Sequence, residues 1–182
     1  MRVIVQRSKE SSVIIDGKVN GKIDNGFVLL VGFTQGDTKE IASKMAFKIA
    51  GLRIFSDSDD KLNLSLKDIN GEILSISQFT LYAKLNGRRP SFTKALNYGE
   101  AKDLYNYFNE ELRNLDINVE TGVFGSGVCG QRAIGEHNVG LGWHRLWLYV
   151  LPEFHRHRVV EQTSVKGVER LQQAAQSGAR PC

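Results

Sequence analysis

The first 125 residues contain no histidine, no cysteine and no tryptophan. Within them neither a Ser-His-Asp triad nor a Cys-His pair can be built. The whole chain has two cysteines, Cys129 and Cys182, too few for a disulfide framework and in keeping with a reducing compartment. No apolar run approaches the roughly 20 residues needed to span a bilayer. Met1 to Arg7 lacks the long apolar segment of a signal peptide. The expectation is a cytoplasmic protein with no membrane partner.

The chain's 182 residues fit one domain with a tail. Hydrophobic residues make up 41%, enough for a real core. The net charge of +4 permits an RNA partner without demanding one.

Composition changes near Gly125. Residues 1–125 carry 17 basic and 16 acidic side chains, so they are nearly balanced. Residues 126–182 carry 7 and 4, together with all four histidines and both tryptophans. The domain is therefore placed at 1–125, and 126–182 is read as a divergent, irregular tail of low order. Residues 176–182 have the composition of a disordered end.

Periodicity changes at the same place. Met1 to Ile15 is rich in β-branched residues, and Asp16-Gly17 signals a hairpin that returns through Val19 to Ile23. Gly26 to Phe33 reads as a buried strand. Asp37 with Glu40 resembles a capping box. From there Ile41, Met45, Ile49 and Leu52 recur at helical spacing. Ile69-Asn70-Gly71 turns into an apolar strand over Glu72 to Tyr82. A second helix follows Gly99, with Leu104, Phe108, Leu112 and Leu115 on one face, and Ile117 to Phe124 returns as a strand. Beyond Gly125 only Leu146 to Leu151 reads as a strand and Val165 to Ala175 as a helix. The fold class is α/β: a compact, β-rich, barrel-like sheet domain with two main helices.

The chemistry concentrates in Ser77-Gln78-Phe79-Thr80-Leu81-Tyr82 and Gly87-Arg88-Arg89-Pro90-Ser91-Phe92. Hydroxyl and amide groups beside an aromatic suit a pocket that grips a nucleoside ester. The arginine pair suits the attached phosphates. On a regular strand Gln78, Thr80 and Tyr82 would face away from Ser77, Phe79 and Leu81. A bulge or backbone N–H groups at the strand's end would then have to complete the pocket.

These two blocks belong to a longer series. It includes Met1 to Arg7, Val13 to Gly21, Leu29-Leu30-Val31-Gly32, Gly36-Asp37-Thr38, Leu52-Arg53-Ile54-Phe55, Asn63-Leu64-Ser65 and Glu120-Thr121-Gly122-Val123-Phe124-Gly125. Together they resemble the D-aminoacyl-tRNA deacylase family. The resemblance implies hydrolysis of the ester joining a D-amino acid, or glycine mischarged on tRNA-Ala, to the 3′ end of tRNA. It implies a homodimer with active sites at the subunit interface, no metal, no cofactor and no DNA partner. By resemblance Thr80, Ser77 and Gln78 surround the reacting ester and Phe79 holds the terminal adenosine. Arg88 and Arg89 are assigned to phosphate, and Arg7 to bracing a chiral filter. An aminoacyl ester is already activated, so positioning and oxyanion stabilisation can suffice without a strong side-chain base. Family accounts credit the tRNA's own 2′-hydroxyl, and earlier ones the threonine matching Thr80.

The resemblance also implies a Gly-Pro pair with a cis bond a dozen residues past Gly125, entering the partner's pocket to block L-amino acids. Gln131 to Gly140 contains no proline, and the next one is Pro152 after Leu151. Seam and loss coincide, which points to a shifted reading frame or an inserted element. Loss of the family's last strand is expected to expose an apolar sheet edge. The alternative raised by the missing pair is a non-catalytic tRNA-end binder or an inactive family member.

Bland readings cover the remaining features. His155-Arg156-His157 lacks the ligand cluster of a zinc site. Trp143, Trp147 and Tyr149 read as an apolar patch rather than a base-stacking surface. Asp57, Asp59 and Asp60 read as a solvated turn, not a calcium loop.

Overall fold

A computed structural model describes residues 1–126 except Gly87, with the backbone of residues 131–135 and 148–152. The expected helix at 165–175, the four histidines, both tryptophans and the chain end lie outside the described residues.

The first half of the chain runs β1 (Arg2–Ser8), β2 (Ser11–Ile15), β3 (Lys18–Ile23), β4 (Gly26–Gly32) and α1 (Lys39–Ala50). Next come β5 (Arg53–Ser56), β6 (Leu62–Ser65), β7 (Glu72–Ser77) and a 3-10 turn (Phe79–Tyr82). The rest comprises β8 (Lys84–Asn86), β9 (Arg89–Ser91), α2 (Tyr98–Arg113), β10 (Val119–Thr121), β11 (Gln131–Gly135) and β12 (Leu148–Pro152).

Five strands form the central sheet in the order β10-β7-β4-β1-β12. β4, β7 and β10 are parallel, and β1 and β12 are antiparallel to their neighbours. Strand alternation separates two cores. Val3, Val5, Phe27, Leu29, Val31 and Ile73 face α1 and α2 and pack with Ile49, Phe108 and Leu112. Val28, Leu30, Leu74 and Ile76 face the other way, onto Val13, Ile15 and Ile23 of the sheet β11-β2-β3. Burying one such side chain contributes about 1.5–3 kcal/mol. The two sheets meet along one side, where Asn20 Nδ2 donates to the Thr121 carbonyl at 2.7 Å. That closure gives the expected barrel-like character.

Asp16 (φ 50°) and Gly17 (φ 77°) both adopt the left-handed region that a two-residue hairpin needs. α2 starts at Tyr98, one residue before the expected glycine, because the Asn97 side chain accepts the Glu100 N–H at 3.0 Å.

Several expectations change. Asp37 is not the cap of α1; Thr38 is. A side-chain hydrogen bond with Thr38 holds the Glu40 carboxyl below its usual range. Asp37 is drawn away by the buried Met1 ammonium, and its Oδ2 accepts the Thr34 N–H at 2.8 Å. Leu52 and Leu115 lie past their helices yet still pack on the core. The strand expected over Glu72 to Tyr82 stops at Ser77. The exposed apolar edge expected from the altered ending is not found at β1, which pairs with β12; β12 falls on the strand expected at Leu146 to Leu151. β11 was not legible in the sequence.

Candidate active site

β7 leaves the sheet at Gln78. Its N–H makes a last bond to Val31 O at 2.7 Å, and its backbone then turns to φ −144°, ψ 85°. Gln78 O accepts Leu81 N–H at 3.3 Å and Thr80 O accepts Ala83 N–H at 2.9 Å, which winds Phe79–Tyr82 into the turn. Gly32 makes room for it. A Cβ there would stand 2.8 Å from Gln78 O and 3.1 Å from Leu81 Cβ. The turn therefore sits on the end of β4 where a larger residue would push it off.

Winding removes the parity problem of a straight strand. Gln78 Nε2 donates to Thr80 Oγ1, linking the amide to the hydroxyl two residues on. With its lone pair engaged, the Thr80 hydroxyl keeps its own proton to donate. Ser77, Gln78 and Thr80 are half-buried. Phe79 is 50% exposed, a large aromatic left outside the core. Phe92 backs it edge-on, with ring centroids 5.1 Å apart and planes at 67°.

The arginine pair lies on the next hairpin. Arg88 is at its tip and Arg89 begins β9, both exposed. Leu85 beside them is 81% exposed. Arg7 is placed apart from the turn. It pairs with Phe27, whereas Val3 pairs with Val31, the neighbour of Ser77. That offset is about 13 Å at some 3.3 Å per residue. Its Nη1 donates to Ile54 O at 2.9 Å.

Two residues here were not singled out from sequence. Arg2 Nη1 donates to Leu81 O at 2.8 Å, and its guanidinium lies 4.6 Å from the Tyr82 ring centroid. Phe92 was noted only as part of a block. Neither signal emerges until strand order brings β1 and the 92–96 loop beside the turn. That loop is tied down by Thr34 Oγ1 donating to Lys94 O at 2.6 Å, and by Leu96 N–H donating to Phe33 O at 3.0 Å. The Asp57 carboxylate is engaged in its own turn. It accepts the Asp59 and Lys61 N–H groups at 3.0 Å each, and the Lys61 bond chiefly holds it below the usual range.

The sequence profile of the D-Tyr-tRNA(Tyr) deacylase family matches residues 4–129. The chain belongs to this family. A D-aminoacyl-tRNA deacylase of Exiguobacterium sibiricum is 54% identical over 127 residues, covering 69% of this chain and 88% of the relative. Another from Anoxybacillus flavithermus is 56% identical over 127 residues, covering 69% and 87%. Among solved structures, a c-Myc DNA unwinding element binding protein superposes with a TM-score of 0.68 at 33% identity, covering 74% of this chain and 91% of that one. A probable eukaryotic D-amino acid tRNA deacylase gives 0.64 at 18% identity, covering 74% and 92%, and shares the fold. The family match ends four residues past the compositional seam.

Proposed function

We propose that this chain hydrolyses the ester of D-aminoacyl-tRNA, and of glycyl-tRNA mischarged on tRNA-Ala, releasing free tRNA and the amino acid. The observation that carries the reading is Phe79: a half-exposed ring, backed by Phe92, one residue from a hydroxyl already oriented by an amide. An exposed aromatic offers the terminal adenine a stacking face worth about 1–3 kcal/mol. Ser77, Gln78 and Thr80 then surround the ester. Thr80 donates its hydroxyl proton to the developing oxyanion, and the N–H groups opening the turn have no acceptor inside it. Water or the ribose 2′-hydroxyl attacks the carbonyl carbon, and the ester C–O bond breaks toward the 3′ oxygen. Arg88 and Arg89 contact phosphate. The working unit is a homodimer in the cytoplasm, needing neither metal nor cofactor. In it Arg7 braces a segment of the partner subunit.

Residues 1–125 form the catalytic domain. Residues 126–182 come from a shifted reading frame or an inserted element. The DNA around codon 125 tests this: no alternative frame encoding a Gly-Pro ending rules out the frameshift.

Activity is tested with the purified full chain on D-Tyr-tRNA and glycyl-tRNA, beside an L-Tyr-tRNA control. Release of D-tyrosine is the expected result. Without a Gly-Pro pair, discrimination against the L ester is expected to be poor, and strong rejection of L-Tyr-tRNA refutes that part. Tight binding of the tRNA end without turnover refutes the hydrolase itself.

A further inference from the structure

Between Glu72 and Glu100 the chain carries no acidic side chain, although it holds 20 in all. The charges in that stretch are Lys84, Arg88, Arg89 and Lys94, and all four are exposed. Among the described residues no carboxylate pairs with any of them. Three of the four sit on the β8–β9 ribbon, with Arg88 at its tip. Lys84 stands opposite Ser91, Leu85 opposite Pro90 and Asn86 opposite Arg89. Opposed residues share a face, so Lys84 and Arg89 lie on one side, two rungs or about 7 Å apart along the ribbon. Leu85 and Pro90 lie on the other. Leu85 is 81% exposed and Pro90 is exposed too, so that side is not packed on the domain either. The ribbon is rooted at the aromatic pair. It leaves directly after the Phe79–Tyr82 turn and returns into Phe92, whose ring meets that of Phe79. Three residues of strand give it a reach of about 10 Å from that root.

We propose that this ribbon grips the phosphates of an unpaired RNA 3′ tail, and that the RNA footprint of this face ends before a paired stem begins. The proposal rests on the reading of Phe79 as the seat of the terminal base. Cations spaced along a ribbon track a phosphate backbone, and a half-exposed ring at its root takes a base; together they make a single-strand binding element. The short reach sets the footprint. About 10 Å covers at most about three nucleotides, even at the roughly 3.4 Å spacing of stacked ones. A paired stem lies farther out than Lys84, Arg88 and Arg89 extend. An acidic peptide would meet the same cations but leave the ring unused. Contacts of this kind are indifferent to base sequence, because they are made to phosphate and to the flat face that every base presents.

The test is fluorescence anisotropy of the full chain with three unacylated, labelled RNAs. One is a stem-loop with an unpaired ACCA 3′ tail, one is the same stem-loop ending flush, and one is a single strand ending in ACCA. The two tailed RNAs are expected to bind alike and the flush stem-loop about tenfold more weakly or worse. Neutralising three phosphates of a single strand gives a log–log salt slope of about −2, near twentyfold between about 50 and 200 mM salt. Lys84→Gln and Arg89→Gln are each expected to flatten that slope by about 0.7. Both side chains are exposed, so the melting temperature should hold. Phe79→Ala removes no charge and is expected to weaken binding with the slope intact. Equal affinity for the flush stem-loop overturns the proposal. So does an unchanged slope in both ribbon variants, full affinity in Phe79→Ala, or displacement of the RNA by poly-glutamate at equal charge. No saturable binding of a tailed RNA at about 100 μM, the weak end of non-specific nucleic-acid binding, overturns it as well. Because the probes carry no ester, tail binding without ester hydrolysis keeps this proposal and removes the deacylase. Ester hydrolysis with the flush stem-loop bound equally well does the reverse.

Discussion

Strand β7 serves two places that treat their polar groups in opposite ways. Past its end, in the Ser77–Tyr82 turn, bonds from Gln78, Leu81, Ala83 and Arg2 close the backbone, and an aromatic ring is left outside. In its middle, at Ser75, and on α2 at Asn109, a hydroxyl and an amide oxygen are left unsatisfied inside. The turn commits much of its backbone to the chain itself and leaves an aromatic surface outside. The interior keeps its two polar atoms sealed from solvent. The difference lies in access: the turn offers a surface, and the interior offers none.

The comparison breaks most visibly at Asp37. On the turn side, Asp37 joins the Met1 ammonium to Thr34, and Thr34 holds the loop that carries Phe92. Asp37→Ala strips a buried ammonium of its carboxylate and is expected to cost about 3–5 kcal/mol in chemical denaturation. A loss below about 1 kcal/mol, the range of exposed pairs, would show that water reaches the ammonium.

Phe79→Ala separates function from stability. The ring is half exposed, so the melting temperature should hold. Deacylation should lose about 1–3 kcal/mol in kcat/KM, roughly five- to 150-fold. An unchanged kcat/KM removes Phe79 from the substrate contact.

Gly32→Ala sharpens the same point without touching a polar group. The added methyl meets Gln78 O at 2.8 Å. About 1–3 kcal/mol of overpacking is expected, with the turn as the part that yields. Deacylation should fall further than the denaturation midpoint predicts. Parallel losses in the two would mean the whole sheet end shifts.

The smallest effect is on the interior side, in alkali. Burial pushes the Tyr105 phenol above its ordinary value in the folded chain. The unfolded chain sheds its proton first, so this contribution to stability is complete below that value and is lost as pH rises through the folded one. Tyr105→Phe should flatten the fall of melting temperature above about pH 10. An equally steep fall in the variant assigns the alkaline loss to other groups.

Much of the scaffold was legible because burial imposes period. Phe27, Leu29 and Val31 alternate with Val28 and Leu30 because both faces of β4 are covered. Leu104, Phe108 and Leu112 mark one face of α2. The 77–82 stretch, the candidate site, was misjudged in shape. Phe79, Thr80, Leu81 and Tyr82 all favour strands, and nothing local says otherwise. The turn is set by a residue nearly fifty positions earlier, Gly32, whose missing side chain acts only once β4 and β7 are parallel neighbours. Asp37 was misjudged for a similar reason. Its sequence neighbours make a helix start, but the ammonium that claims it arrives along β1. Asn109 gave no signal at all, since a buried asparagine on a helix reads like any polar residue until its partners are counted.

Arg2 carries a longer reach than its two contacts suggest. It clasps Leu81 through its side chain, while its backbone stands opposite Gly32 on one edge and Pro152 on the other. Residues 148–152 are thus a single ladder rung from the residue that holds the turn. Whatever sequence fills that last strand can shift the footing of the residue that grips Leu81, so the fate of the ending and the shape of the 77–82 turn are mechanically joined.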